Sequence, residues 1–235
     1  MLEIKDLIVF FENAIAVNNI SLYVKEGEIV GVLGSNSAGK TTLMNTISGL
    51  ILDMKVKEER RGGERITILG KILFGGQDIT YLEPFRRVKM GIVLSRERHP
   101  IFPESSVEEN LRIASCARGM GSSKKNMDLV YRIFPHLKEI RKRRGGFLSG
   151  GEQQMLSIGM ALMTEPKLLL LDEPLLGLSP ILQKELVRAI SSIRDEGVTV
   201  LITEQFARPI LPIIDRGYII ENGMLVLEGS RSELI

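Results

Sequence analysis

The first part of the chain is organised in short apolar runs. LEIKDLIVFF, ISLYV and EIVGVL are rich in β-branched and aromatic residues and separated by turn signals such as KEGE, so they predict strands. From Thr41 the period changes, and Leu43, Ile47, Leu50 and Ile51 fall on one helical face. KVKEERRGGER, residues 55–65, is dense in charge and broken by Gly62 and Gly63, which predicts an exposed hairpin or loop. From Ser106 the pattern is helical, with Ser106 and Glu109 at capping-box spacing ahead of Leu111, Ile113 and Ala114. GMGSSKKN predicts a loop, MDLVYRIF a short helix ended by Pro135, and HLKEIRKRRGG a basic solvated face. LLLLDEP predicts a buried strand stopped by Pro174. A helix from about Pro180 turns Leu182, Leu186, Ile190 and Ile193 inward and ends at Gly197. VTVLIT predicts another strand, and YIIENGMLVLEG a hairpin turned on Asn222-Gly223. Strands alternating with helices imply an α/β core, which the helical run from about 100 to 160 interrupts as an inserted lobe.

Composition narrows the classes. The 235 residues are 44% hydrophobic and 26% charged, ordinary for a globular protein, and 31 Lys+Arg against 29 Asp+Glu leave a net charge of +2. That balance gives no electrostatic case for binding nucleic acid. Cys116 is the single cysteine, so no intrachain disulfide forms and the chain fits a reducing compartment; the residue itself reads as a small apolar helix position. No run approaches the ~18 apolar residues of a membrane helix. Glu3, Lys5 and Asp6 interrupt the N-terminal run, which reads as a strand rather than a signal peptide. The expectation is a cytosolic protein that reaches any membrane through partners.

The chemistry is concentrated in three stretches. GSNSAGKTT, covering Gly34, Ser35, Asn36, Ser37, Ala38, Gly39, Lys40, Thr41 and Thr42, fits G-x-x-x-x-G-K-[ST] between a predicted strand and a predicted helix. A triphosphate carries several negative charges. Successive backbone N–H groups and a helix N-terminus satisfy them if the backbone approaches closely, which favours glycine. Lys40 supplies a point charge to the β and γ phosphates, and the Thr41 hydroxyl suits Mg²⁺. Second, Leu168–Leu171 lead into Asp172 and Glu173, a buried strand ending in acids; Asp172 would hold the metal through water and Glu173 would polarise the attacking water. Third, in LSGGEQQMLSIGMALM, Ser149 and Glu152 have capping-box spacing and Met155, Ile158, Gly159 and Leu162 repeat helically. That helix start offers the Ser149 hydroxyl and the N–H groups of Gly150 and Gly151 as a second anion site. Two phosphate-binding helix starts on one chain could serve two ligands, or one ligand shared between two copies.

With these three stretches in this order, the chain resembles the ATP-binding cassette (ABC) ATPases over essentially its whole length. The resemblance implies a P-loop NTPase fold of ABC type: a RecA-like α/β core with an antiparallel β subdomain and an inserted α-helical subdomain. It is read as one domain of residues 1–235, with 1–97 and 165–235 as catalytic core and β subdomain and 98–164 as helical subdomain. It implies ATP and Mg²⁺ as cofactors and a head-to-tail dimer. ATP would lie between the phosphate loop of one subunit and Ser149, Gly150, Gly151 and Glu152 of the other. Phe11 falls where an aromatic residue stacks on adenine, Glu97 where most members have the Q-loop glutamine and metal contact, and Gln205 where most have the catalytic switch histidine. Glu and Gln at these positions, with IFPESSVEENL, LGLSP and RGYIIENG, resemble the branch that serves branched-chain amino acid importers.

That branch implies an ATPase peripheral on the inner face of the cell membrane, bound to permease subunits. A second ATPase subunit, as heterodimer or homodimer, and an extracytoplasmic solute-binding protein would belong to the same system, with no nucleic acid. Rival readings are importers of urea, amides or another polar solute, a soluble ABC ATPase of DNA repair or translation, and a nonhydrolysing regulatory module. Departures from the family pattern are Ser37 for Gly, Leu175 for Ser/Thr, Met160 for Arg and Glu12 for Gly.

Overall fold

The computed structural model describes residues 1–96, 101–116 and 123–234. Its strands are β1 (Leu2–Phe11), β2 (Ala14–Val24), β3 (Ile29–Leu33), β4 (Ile66–Phe74), β5 (Gln77–Asp78), β6 (Ile92–Ser95), β7 (Leu168–Asp172), β8 (Thr199–Glu204), β9 (Arg216–Glu221) and β10 (Met224–Ser230). Its helices are α1 (Lys40–Ser48), α2 (Leu50–Arg61), α3 (Pro84–Met90), α4 (Val107–Ser115), α5 (Ser123–Ile133), α6 (Pro135–Glu139), α7 (Gly150–Leu162) and α8 (Pro180–Asp195). A six-stranded sheet runs β10-β9-β3-β8-β7-β6, parallel except for β10. A four-stranded antiparallel sheet runs β2-β1-β4-β5.

The large sheet is apolar on both faces, as parallel strands covered on each side must be. Successive residues alternate between two cores. Leu169, Leu171, Val200 and Ile202 pack with α4, α7 and α8, while Leu168, Leu170 and Leu201 pack with α1 and the small sheet. The phosphate loop leaves β3 at the C-terminal end of the parallel strands, where open α/β sheets place their ligands.

Several expectations are corrected. Residues 55–61 are helical, within α2. Lys, Glu and Arg are strong helix formers, and Gly62, at φ +66°, caps the helix instead of turning a hairpin. Leu43, Ile47, Leu50 and Ile51 do not share one helix, because Gly49 at φ +85° separates α1 from α2. Residues 123–126 of the expected loop form the first turn of α5. Pro135 opens α6 at its first position as well as closing α5, since its missing N–H is harmless there. Cys116 is exposed at the C-cap of α4 instead of packed in a helix.

One buried cation fixes the helix behind the phosphate loop. Arg87 is fully buried. Its guanidinium donates to the carbonyls of Thr46 and Ile47 at the end of α1 and to those of Leu82 and Thr80. Burial lowers its pKa to about 10, with the charge of Asp78 opposing the shift. The guanidinium thus caps the negative end of α1's dipole from inside the core.

Candidate functional site

The phosphate loop wraps round its own lysine. Lys40 is 3% exposed, and its ammonium donates to Gly34 O at 2.7 Å, Ser35 O at 2.8 Å and Glu173 Oε1 at 2.9 Å. These partners use all three of its donors. Gly39 has φ +100°, and a methyl group there would collide with the carbonyl oxygen of Ala16. Gly39 is therefore fixed both by backbone conformation and by space. Ser37 has φ +64°, so the serine that replaces glycine is held in the left-handed region at a cost of about 1 kcal/mol. Glu12 is likewise left-handed at φ +50°, and its carboxylate accepts from Arg65 N at 2.6 Å, tying β1 to the start of β4.

A cavity of ≈ 320 Å³ is lined by Ala16, Asn36, Ser37, Gly39, Lys40, Thr41, Thr42, Glu173 and Leu176. The structure thus brings the phosphate loop and the acid after β7 to one place. Ala38 is buried, and Gly34 and Ser35 contribute through the carbonyls that hold Lys40. A larger cavity of ≈ 590 Å³ lies between α8 and Arg208–Pro212. It holds basic residues but neither a phosphate loop nor a carboxylate, so the smaller cavity is the chemical one.

Asp172 ends β7, 3% exposed, and its Oδ1 accepts from Thr203 Oγ1 at 2.8 Å. Glu173 leaves the strand at φ +47°, its N–H shared between Thr203 O at 3.2 Å and Thr203 Oγ1 at 3.1 Å. A non-glycine residue in this conformation persists only where its surroundings hold it. Thr41 lines the cavity and Asp172 directly precedes its Glu173 in the chain; hydroxyl and carboxylate are the hard oxygen donors that suit Mg²⁺. Among the described residues no cluster of three His, Cys, Asp or Glu forms, so a cation here would depend on phosphate and water oxygens as well.

Phe11 ends β1 opposite Ala14 and Ile66, partly buried against the core; it does not line the cavity. Glu97 lies outside the described residues. Gln205 is half-buried in the bend directly after β8. Leu175 is 2% exposed in the core, so the side chain that departs from the family pattern faces inward, while its neighbour Leu176 is exposed. Met160 packs partly buried on the helical core.

Ser149 caps α7, accepting from Glu152 N at 3.3 Å while Glu152 Oε2 accepts from Ser149 N at 2.6 Å. Ser149 and Gly150 are exposed, and a methyl on Gly150 would meet open space. None of Ser149, Gly150, Gly151 and Glu152 lines the cavity around Lys40. The two helix starts of one chain therefore do not converge on one site.

Three contributors escaped the sequence reading. His136 Nε2 lies 2.9 Å from Glu152 Oε1, with Arg143 at 3.5 Å from the same oxygen. The hydrogen bond to Glu152 holds the His136 imidazole above its ordinary pKa. Burial works to raise Glu152, but its bonds to His136 and Ser149 outweigh it and lower the carboxyl. Glu204, the last residue of β8, is pushed up to about 7 by burial, against the backbone N–H of Leu175. Its only sequence signal was an acid ending an apolar strand, the pattern already used for LLLLDE.

Comparison with known proteins places this geometry. A family model described as ABC transporter matches residues 17–176. The chain is similar to the high-affinity branched-chain amino acid transport ATP-binding protein BraG of Pseudomonas aeruginosa, 37% identical over 235 residues, covering 100% of this chain and 95% of that protein. It is also similar to the lipopolysaccharide export system ATP-binding protein LptB of Escherichia coli, 33% identical, covering 98% of this chain and 91% of that one. An ATP-binding cassette of an ABC transporter, solved in its ADP conformation, superposes with a TM-score of 0.81 at 28% identity, covering 98% of this chain and 91% of that chain.

Proposed function

The chain belongs to the ABC transporter ATPases, and from that premise we propose that it powers an importer of branched-chain amino acids. It is an ATP-binding and ATP-hydrolysing subunit. The observation that carries the cargo is the full-length identity to BraG, supported by Glu97 and Gln205 at the two positions where most cassettes differ. LptB, of similar coverage, keeps an exporter as the second reading. Assembled with its permease and solute-binding protein, the ATPase is expected to turn over faster when leucine-loaded binding protein is added. A complex that responds to urea or an amide and not to leucine would reassign the cargo.

The proposed division of labour rests on the motif positions, and for Asn36, Ser37, Gly39, Lys40, Thr41, Thr42 and Glu173 also on the cavity they line. Gly34, Ser35, Asn36, Ser37, Ala38, Gly39, Lys40, Thr41 and Thr42 hold the triphosphate, and Phe11 stacks on adenine. The incoming phosphates displace the Gly34 and Ser35 carbonyls from Lys40 and take over its charge from Glu173. Mg²⁺, which would be held by Thr41, by Asp172 through water and by Glu97, supplies charge neutralisation of the phosphates. Glu173 then accepts the proton of the attacking water, and Gln205 contacts the γ-phosphate. Ser149, Gly150, Gly151 and Glu152 complete the nucleotide site of a second cassette, a sibling subunit or another copy. No helix among the described residues is long and apolar enough to cross a membrane, and we infer a peripheral protein docked on permease subunits.

Gln205 does not titrate near neutrality and histidine does. Gln205→His is therefore expected to add an inflection to the turnover profile between about pH 6 and 7.5. Burial pushes Glu204 up to about 7 in wild type and variant alike, so the difference between the two profiles is the result. Superimposable profiles would remove position 205 from the switch.

A further inference from the structure

Three segments of the site meet at Glu204. Its backbone carbonyl accepts from Gly34 N, the entry of the phosphate loop, at 3.2 Å. Its carboxylate Oε1 accepts from Leu175 N at 2.9 Å, in the turn that follows Glu173. It is 6% exposed and directly precedes Gln205. Leu175 is itself buried, and its carbonyl takes the Gln183 amide at 3.3 Å, so its N–H needs an acceptor inside the protein. Glu204 is that acceptor. The turn it holds is left-handed at both ends, strained at Glu173 with φ +47° and relaxed at Gly177 with φ +73°. Thr203 grips the Glu173 N–H, Lys40 grips its carboxylate, and Glu204 grips the turn beyond it.

The geometry points to Glu204 as a positioning residue for hydrolysis: through Leu175 N–H it fixes the turn carrying the base Glu173 and couples that turn to Gln205. The inference rests on ATP hydrolysis at this cavity. Glu204 touches neither nucleotide nor water in this role. Protonated or ionised, its carboxyl retains an acceptor oxygen, so the hydrogen bond and not the charge is what matters.

The test is steady-state ATP hydrolysis by the full chain, with thermal unfolding and binding of a fluorescent ATP analogue as controls. Glu204→Ala removes the acceptor and is expected to lower kcat about tenfold or more, with KM for ATP and analogue affinity within about threefold of wild type. Glu204→Gln can present its amide oxygen to Leu175 and is expected to stay within about threefold of wild-type kcat. Glu204→Asp keeps the charge but is one methylene short, and is expected to behave like alanine; it decides the matter if the alanine variant does not fold. Wild-type kcat in the aspartate or alanine variant overturns the inference. So does equal loss in glutamine and alanine, or a loss carried by KM. If wild type shows no turnover that Lys40→Ala abolishes, the ATPase reading falls first and this inference with it.

Discussion

Glu173→Gln is expected to lower ATP turnover by about two to four orders of magnitude while tightening ATP binding several-fold. The first effect follows from the base role proposed for Glu173, since removing a general base costs about 10²–10⁴ in rate. The second follows from the ligand-free geometry. Glu173 Oε1 sits 2.9 Å from Lys40 Nζ, and both groups are nearly buried, at 10% and 3% side-chain exposure. A triphosphate must take the lysine from this carboxylate and then share the cavity with its negative charge. Glutamine is nearly isosteric and neutral, so it removes both penalties, and about 1.4 kcal/mol is already tenfold in affinity. Isothermal titration with ATP, beside a phosphate-release assay, reads both. Unchanged turnover would take the base role away from Glu173. Weakened binding would show that Glu173 supports the loop rather than competing for Lys40.

Arg87→Met is expected to destabilise the folded chain by about 3 kcal/mol or more, since each buried carbonyl left without a donor costs about 1–3 kcal/mol. Methionine fills much of the space but removes the guanidinium donor from the carbonyls of Ile47, Thr80 and Leu82, and leaves Thr46 O only the Gly49 N–H. Arg87→Lys keeps the charge but cannot spread donors over four carbonyls, so it is expected to recover only part of the loss. Because two of those carbonyls end α1, the helix that begins with Lys40, the variant is also expected to bind ATP more weakly near its unfolding transition. Urea unfolding measures the first effect. A change below about 1 kcal/mol would mean that water replaces the guanidinium.

Legibility in the sequence tracked the range of the interaction. The capping boxes at Ser106–Glu109 and Ser149–Glu152, the Asn222-Gly223 hairpin and the helix Pro180–Asp195 each follow from a few adjacent residues, and each is present in the structure. Asn36, Ser37, Gly39, Lys40, Thr41 and Thr42 were grouped by one local pattern, and Glu173 joins them in the cavity across the sheet. Residues 55–61 went the other way, because charge density marks exposure and says nothing against a helix. Arg87 and Glu204 were not legible in role. Arg87 caps carbonyls 40 and 41 residues away, and Glu204 bonds an N–H 29 residues away. Such pairings exist only once the topology has placed the strands. Ser37 shows a third case: serine in place of glycine is legible in the sequence, whereas its left-handed backbone, φ +64°, is seen only in the structure.

In the proposed assembly, the site that holds ATP with Lys40 and the phosphate loop is completed by Ser149, Gly150, Gly151 and Glu152 of a second cassette. Light scattering of the Glu173→Gln chain with Mg-ATP, alone and mixed with the proposed sibling ATPase subunit, is the test. A two-cassette mass is expected in at least one of the two samples, dependent on ATP and absent with nucleotide removed. A single-cassette mass in both, with ATP demonstrably bound, would contradict it.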